Sequence, residues 1–162
     1  MTVAPGILNE RFAAVADLLR ANVTDGTELG ASVCFVKDGE VLLDIWDGWF
    51  DRDKTLPWQQ DTLTQVWSIS KTMTNLSALV LVDRGEIDLD ERVAHYWPEF
   101  AAEGKSDVLV RHLLSHTSGV SGWAQPVTID DMYDWDKSTA MLAAQEPWWE
   151  PGTAGGYHLL NQ

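Results

Sequence analysis

The feature that most constrains the fold is the stretch VWSISKTMTN at residues 66–75, together with the apolar run that continues from it. The apolar positions of this run recur mainly at steps of three and four residues, the spacing of an amphipathic helix. They are Met73, Leu76, Leu79, Val80 and Val82. The pattern predicts a helix that begins near Ser68 and ends before Gly85, since glycine favours helix termination.

Ser68 and Lys71 stand three positions apart at the beginning of this predicted helix, so their side chains share one face. A serine hydroxyl is a poor nucleophile until a base takes its proton, and a neutral lysine can be that base. Burial and the positive end of the helix dipole both favour the neutral amine. The same helix start stabilises negative charge on a carbonyl oxygen under attack. Ser68 as a simple N-cap residue is the alternative interpretation.

Composition excludes several classes of function. The chain has 162 residues, enough for one domain with a core. A net charge of −14 argues against nucleic-acid and anionic-membrane partners, which require basic patches. Cys34 is the single cysteine, lies in an apolar run and is predicted to be buried. A single cysteine favours a reducing compartment, and the sequence shows no basic segment followed by an apolar one, so it predicts a cytoplasmic protein. Its apolar stretches are too short to span a membrane.

Hydrophobic periodicity predicts the remaining elements. Residues 7–21 and 129–145 have the spacing of helices, and residues 108–114 that of a short helix. Residues 30–36 and 41–46 are β-rich runs joined through Asp38-Gly39, a strong signal for an antiparallel hairpin. Acidic residues early in 129–145 complement the helix dipole, and a solvated helix face is favoured for them over a role in acid–base catalysis.

Neither candidate metal site fits a known ligand pattern. His112 and His116 have the i, i+4 spacing of zinc ligands, but no glutamate lies between them, and hydrogen bonding in a turn is the favoured role. The acidic stretch of residues 83–90 does not match the EF-hand spacing. We therefore expect no metal and no cofactor.

Three stretches, taken together and in this order, resemble a known superfamily. They are VWSISKTMTN at 66–75, RHLLSHTSGVSGW at 111–123 and EPGTAGGYHLLNQ at 150–162. The combination resembles the serine β-lactamases and penicillin-binding proteins, specifically the class C-like branch that includes family VIII carboxylesterases. The resemblance implies that Ser68 is the acylated nucleophile, that Lys71 activates it and that Tyr157 shuttles the proton. Lys71 and Tyr157 should titrate as one coupled unit. Residues 112–119 match a structural turn of the family.

The same resemblance implies an α+β fold, of which this chain supplies the N-terminal part. Residues 1–60 would form the first helix and hairpin, 61–105 the nucleophile helix and its connection, and 106–162 part of an all-helical domain. The family's C-terminal strands, closing helix and third motif would be absent from this chain. A two-stranded sheet alone is marginally stable, so we expect a second polypeptide segment, as a second chain or a cleavage product, to complete the site.

One departure from the family pattern bears on the substrate. The β-lactamases usually carry Tyr-x-Asn, whereas Tyr157 is followed by His158 and Leu159. Loss of that amide favours esters over lactams. The predicted function is hydrolysis of short-chain carboxylic esters, with amides and β-lactams as further small-molecule substrates, through an acyl-serine intermediate. An acyltransferase of the same family and a non-catalytic, truncated binding fragment are the alternatives.

Overall fold

A computed structural model of the protein describes residues 6–158, and the chain divides into two compact units after Gln65. Over residues 6–65, the first unit contains a three-stranded antiparallel sheet, with strand order β1-β3-β2, and one long helix. Its elements are β1 (Gly6–Leu8), a 3₁₀ turn (Glu10–Phe12), α1 (Ala13–Asp25), β2 (Gly30–Lys37) and β3 (Glu40–Gly48).

The predicted hairpin is confirmed. β2 and β3 pair antiparallel, and Lys37 lies opposite Glu40 at the closing turn. Asp38 and Gly39 both have left-handed backbone angles, with φ of 53° and 79°. Two such residues in succession give a turn whose twist matches that of the strands, which is why Asp-Gly is favoured there.

The predicted helix over residues 7–21 is wrong in its first part, because Ile7 and Leu8 belong to β1 and pair with Asp44 and Leu43 of β3. The α-helix begins only at Ala13, after Asn9 caps the preceding 3₁₀ turn by accepting a hydrogen bond from the Arg11 amide. The sheet accordingly has three strands, and the expected two-stranded sheet is corrected.

The core of the first unit lies between α1 and one face of the sheet. Leu43 and Ile45 on β3 are fully buried against Ala16 and Leu19 of α1. Burying each large aliphatic side chain stabilises the fold by about 1.5–3 kcal/mol. Cys34 is exposed, which corrects the prediction that it is buried. Successive residues of a strand point to opposite faces of the sheet. Because Val33 is half-buried, the next side chain, that of Cys34, lies on the exposed face.

The second unit is helical among the residues described. Its elements are α2 (Ile69–Asp83), α3 (Val93–Tyr96), a 3₁₀ turn (Pro98–Ala101), α4 (Val110–Leu114), α5 (Ile129–Tyr133) and α6 (Trp135–Ala144). Val93, Phe100, Val108 and Val120 form its buried core. No helix within residues 6–158 combines the length and the apolar character needed to span a bilayer.

The single helix predicted over 129–145 is wrong, because the chain breaks at Asp134 into α5 and α6. Asp134 adopts an extended backbone, and its carboxylate accepts a hydrogen bond from the Lys137 amide. Aspartate competes for backbone donors in this way and therefore favours a cap position over a helix interior.

The predicted central helix is confirmed as α2, and Gly85 beyond its end has a left-handed φ of 72°. Although α2 is amphipathic in sequence, none of its residues is buried. Five of its apolar side chains are about half exposed: Ile69, Met73, Leu76, Leu79 and Val80.

Candidate active site

Ser68 occupies the N-cap position of α2, but its hydroxyl makes no capping hydrogen bond. Lys71 Nζ instead donates to Ser68 Oγ over 3.4 Å, a contact longer than the usual range of about 2.7–3.2 Å for N–H···O hydrogen bonds. Both residues are partly buried. The i, i+3 spacing has thus brought the hydroxyl and the amine together, as predicted from the sequence.

The backbone just before Ser68 adopts an unusual conformation. Trp67 has a φ of 47°, in the left-handed region that bulky residues avoid. Such a conformation costs on the order of 1–3 kcal/mol and recurs at functional sites. The next three amides, those of residues 69–71, each donate to the carbonyl three residues earlier, which makes a tight first turn. Those three amides are therefore already engaged and cannot serve a substrate oxygen.

Tyr157 lies beside this pair although it is remote in sequence. Lys71 Nζ is 5.3 Å from the centroid of the Tyr157 ring, within the range of a cation–π contact. The tyrosine side chain is 61% exposed, so its ring is accessible from solvent. The structure thus brings together all three residues that the sequence singled out.

The loop that carries Tyr157 is fastened to the segment 116–121 by main-chain and side-chain hydrogen bonds. The donors and acceptors are Trp148 N to Gly119 O (2.8 Å), Gly152 N to Thr117 O (2.8 Å), Gly156 N to His116 O (2.8 Å) and Ser121 Oγ to Gly156 O (2.6 Å). The side-chain amide of Asn75 on α2 donates to Leu114 O over 3.3 Å. The segment 114–121 therefore links the helix of Ser68 and Lys71 to the loop of Tyr157.

Close packing around Gly156 fixes the same loop. A Cβ atom at Gly156 would lie 2.0 Å from Trp149 Cη2, whereas at Gly155 it would meet nothing within 4 Å. The Trp149 indole also donates to Ala154 O over 2.9 Å. A close backbone approach thus occurs at Gly156 and not at Gly155.

His112 and His116 have different roles. The Leu109 amide donates to His112 Nδ1 over 3.3 Å, which fits the expected role in turn hydrogen bonding. Burial, and then the nearby Arg111 cation, lower the pKa of His112, so the neutral imidazole is favoured. His116 contacts the Tyr157 ring edge to face, with centroids 4.8 Å apart. Within residues 6–158, no three or more His, Cys, Asp or Glu side chains are grouped as metal ligands would be.

Sequence reasoning missed the contributions of His116, Ser121, Trp149 and Asn75 to this site. Their partners lie far away along the chain, and spacing rules describe only neighbours within one element. The His-Thr-Ser-Gly turn and the glycines before Tyr157 were the signals that could have suggested that these two segments contact each other.

Comparison with known proteins identifies relatives over nearly the whole chain. The sequence model of the Beta-lactamase family matches residues 15–161. Esterase/beta-lactamase LipL from Mycobacterium tuberculosis is 36% identical over 157 residues, which are 96% of this chain and 36% of that protein. A family VIII carboxylesterase of known structure shares 50% identity with a TM-score of 0.82, over 94% of this chain and 42% of that one. A penicillin-binding protein homolog from Caulobacter crescentus shares 41% identity with a TM-score of 0.88, over 99% and 43%.

The chain thus spans about two fifths of the length of these relatives. Its mixed helices and strands correspond to the N-terminal part of the fold that the solved relatives share, as the motifs predicted.

Proposed function

Because this chain belongs to the beta-lactamase family, we propose that it carries the nucleophile of a serine hydrolase that cleaves short-chain carboxylic esters. The observation that supports this most directly is the contact of Lys71 Nζ with Ser68 Oγ beside the Tyr157 ring. The names of its relatives, an esterase/beta-lactamase and a carboxylesterase, support the same reaction class.

In the proposed reaction, Ser68 Oγ attacks the ester carbonyl carbon and passes its proton to Lys71 Nζ, which acts as the base. The bond between the carbonyl carbon and the alkoxide oxygen then breaks. The proton reaches the departing alkoxide through Lys71 and Tyr157, so that an alcohol leaves. Water attacks the acyl-Ser68 carbonyl in the second step, Ser68 Oγ regains a proton, and a carboxylic acid is released.

The geometry of the α2 start accounts for part of the transition-state stabilisation. The amides of residues 69–71 are engaged within the first turn. We therefore assign one oxyanion contact to the Ser68 amide, aided by the positive end of the α2 dipole. The second donor would come from a segment outside this chain.

We further propose that an additional polypeptide segment, in a second chain or a cleavage product, completes the site. The support is the apolar face of α2, where five large side chains are about half exposed. Exposed apolar patches of this kind mark surfaces that another element covers. Esters are proposed over lactams because His158 and Leu159 follow Tyr157 in place of the Tyr-x-Asn pattern.

A fluorophosphonate probe, which reacts with activated serines, tests the proposal. It should be applied to the chain alone and to a hybrid protein in which residues 1–162 replace the matching part of the family VIII carboxylesterase. We expect labelling of the hybrid at Ser68, with p-nitrophenyl butyrate hydrolysed faster than a chromogenic cephalosporin. Labelling should disappear in Ser68→Ala and fall at least about 100-fold in Lys71→Ala, since general-base catalysis contributes 10²–10⁴-fold.

Ser70→Ala is the matched control, because Ser70 lies on the same helical turn and is exposed. This variant should label like the unmodified hybrid. A folded hybrid that never labels at Ser68 would refute the hydrolase and favour a non-catalytic binding fragment.

A further inference from the structure

We propose that His116 is a positioning residue, whose imidazole holds the Tyr157 ring in place beside Lys71; this inference rests on the proposed function. The residue belongs to the turn between α4 and the segment that follows it. Its ring centroid lies 4.8 Å from that of Tyr157, and the ring planes are inclined by 63°. This is the edge-to-face arrangement that aromatic pairs prefer.

His116 also holds the main chain next to Tyr157. Its carbonyl accepts a hydrogen bond of 2.8 Å from the amide of Gly156, the residue immediately before the tyrosine. His116 has a φ of 59°, in the left-handed region. One residue therefore contacts both the ring of Tyr157 and the backbone that carries it.

The turn is tied to the helix of the nucleophile as well. Asn75 lies one helical turn beyond Lys71 on α2, and its side-chain amide donates to Leu114 O, two residues before His116. Residues 114–116 thus connect α2, which carries Lys71, to the loop that carries Tyr157. Because Tyr157 is 61% exposed, packing against the rest of the unit restrains its ring less than it would restrain a buried tyrosine.

The unit contains a second histidine–tyrosine pair that serves as a control. His95 and Tyr96 also lie edge to face, with centroids 4.8 Å apart and ring planes at 89°. The Tyr96 hydroxyl accepts a hydrogen bond from the Asp88 amide. Replacing His95 removes an equivalent ring contact and leaves the residues of the candidate site unchanged.

The first test reads the geometry and needs no enzymatic activity. NMR spectra of the whole chain with ¹³C-labelled tyrosine and lysine, assigned with Tyr157→Phe and Lys71→Met, report the Tyr157 ring and the Lys71 ε-methylene. In His116→Asn, we expect both signals to move and the ring-current shift on Lys71 to shrink at least about twofold. Asparagine tolerates the left-handed backbone, so this variant removes the ring and retains the fold. His95→Asn should move only the Tyr96 signals.

The second test uses the hybrid protein. His116→Asn should lower kcat for p-nitrophenyl butyrate about tenfold with KM unchanged, the change expected if about 1.4 kcal/mol of positioning is lost. His116→Phe retains an aromatic ring and should recover most of kcat. A residue that only supported folding would not give this split or this rescue.

The outcomes separate the two proposals. Unchanged Lys71 and Tyr157 signals in His116→Asn, or an unchanged kcat, would overturn the positioning role while Ser68 labelling continued to support the hydrolase. If His116→Asn does not fold, His116→Gly decides, because glycine accepts the left-handed backbone and also lacks the ring: unchanged Lys71 and Tyr157 signals, or an unchanged kcat, would overturn the positioning role. If the Lys71 and Tyr157 signals change in the chain but the hybrid never labels at Ser68, the positioning role is supported and the proposed function is refuted.

Discussion

Substitution of Gly156 by alanine gives the sharpest test of how the Tyr157 loop is held. The added Cβ would lie 2.0 Å from Trp149 Cη2, 2.7 Å from Trp149 Cζ2 and 3.1 Å from Ser121 Oγ. Real Cβ atoms essentially never come as close to a neighbour as the two Trp149 distances, so either the indole or the loop must move. Tyr157 is the residue directly after Gly156, so a displacement of the loop will change the position of Tyr157 in the candidate site.

The magnitude follows from the packing. Forcing extra carbon atoms into a close-packed contact costs about 1–3 kcal/mol. Replacing a glycine by alanine also restricts the unfolded chain, which stabilises the fold by about 0.4–1 kcal/mol. Gly155→Ala carries this second effect alone, because its Cβ meets nothing within 4 Å. We expect Gly156→Ala to be less stable than Gly155→Ala by about 2 kcal/mol, or about 4–8 °C in Tm.

Urea unfolding of the two variants, followed by tryptophan fluorescence, measures this difference. A double-mutant cycle with Trp149→Phe assigns it to the indole, because the smaller ring leaves room for the added methyl group. Trp149→Phe by itself costs the hydrogen bond to Ala154 O, about 1 kcal/mol. In the Trp149→Phe background, Gly156→Ala should cost about 1 kcal/mol less than in the native chain.

In the hybrid protein, Gly156→Ala should also slow fluorophosphonate labelling of Ser68, whereas Gly155→Ala should not. Equal stability of the two alanine variants would refute the packing argument. Equal labelling rates at unequal stability would show that the loop position does not control the reaction of Ser68.

Three further predictions concern charge and backbone conformation. Lys105 is fully buried, and burial lowers its pKa although Nζ donates to the carbonyls of Ala102 and Gln145. The unfolded chain therefore binds the proton of Lys105 more tightly than the folded chain does. The free energy of unfolding of the native chain, relative to that of Lys105→Met, should rise with pH towards about 10. Urea unfolding that gives a constant free-energy difference between the two chains from about pH 7 to about pH 9.5 would contradict this. A hydrogen bond from Lys137, together with hydrogen bonds from the backbone and side chain of Thr128, lowers the pKa of Asp131 to about 2. Its stabilising effect should be present above about pH 4 and lost as the pH falls towards 2, and carboxylate NMR should show a higher pKa for Asp131 in Lys137→Met. Trp67 is 75% exposed and left-handed, so Trp67→Gly should be more stable than Trp67→Ala by about 1 kcal/mol in urea unfolding, and equal stabilities would contradict the strain.

Several parts of the fold could be predicted because they depend on residues close together in sequence. The Asp38-Gly39 turn has a local conformational preference, and β2 and β3 pair as predicted. The bounds of α2 follow from its apolar periodicity and from Gly85. The proximity of Ser68 and Lys71 is a property of any helix that begins at this point.

Other parts of the fold were mispredicted because tertiary contacts outweighed local preference. Ile7 and Leu8 have helical spacing with the residues that follow, but pairing with β3 provides partners for their backbone groups and makes them a strand. Periodicity continues through Asp134, yet its carboxylate caps α6 and the helix breaks there. The sequence neighbours of Cys34 are apolar, which favours a buried position. Only the orientation of β2 shows that its side chain faces outward.

By itself, the sequence determined the local chemistry of this protein: a helix that begins at Ser68, an amine one turn further on, and motifs that identify the family. Only the tertiary structure decided that the Tyr157 ring meets Lys71, that His116 contacts that ring, and that the Trp149 indole packs against Gly156. The physical reason is that side-chain spacing within one helix is fixed by its hydrogen bonds. Contacts between distant segments depend instead on loop conformation and packing, which no short stretch of sequence encodes.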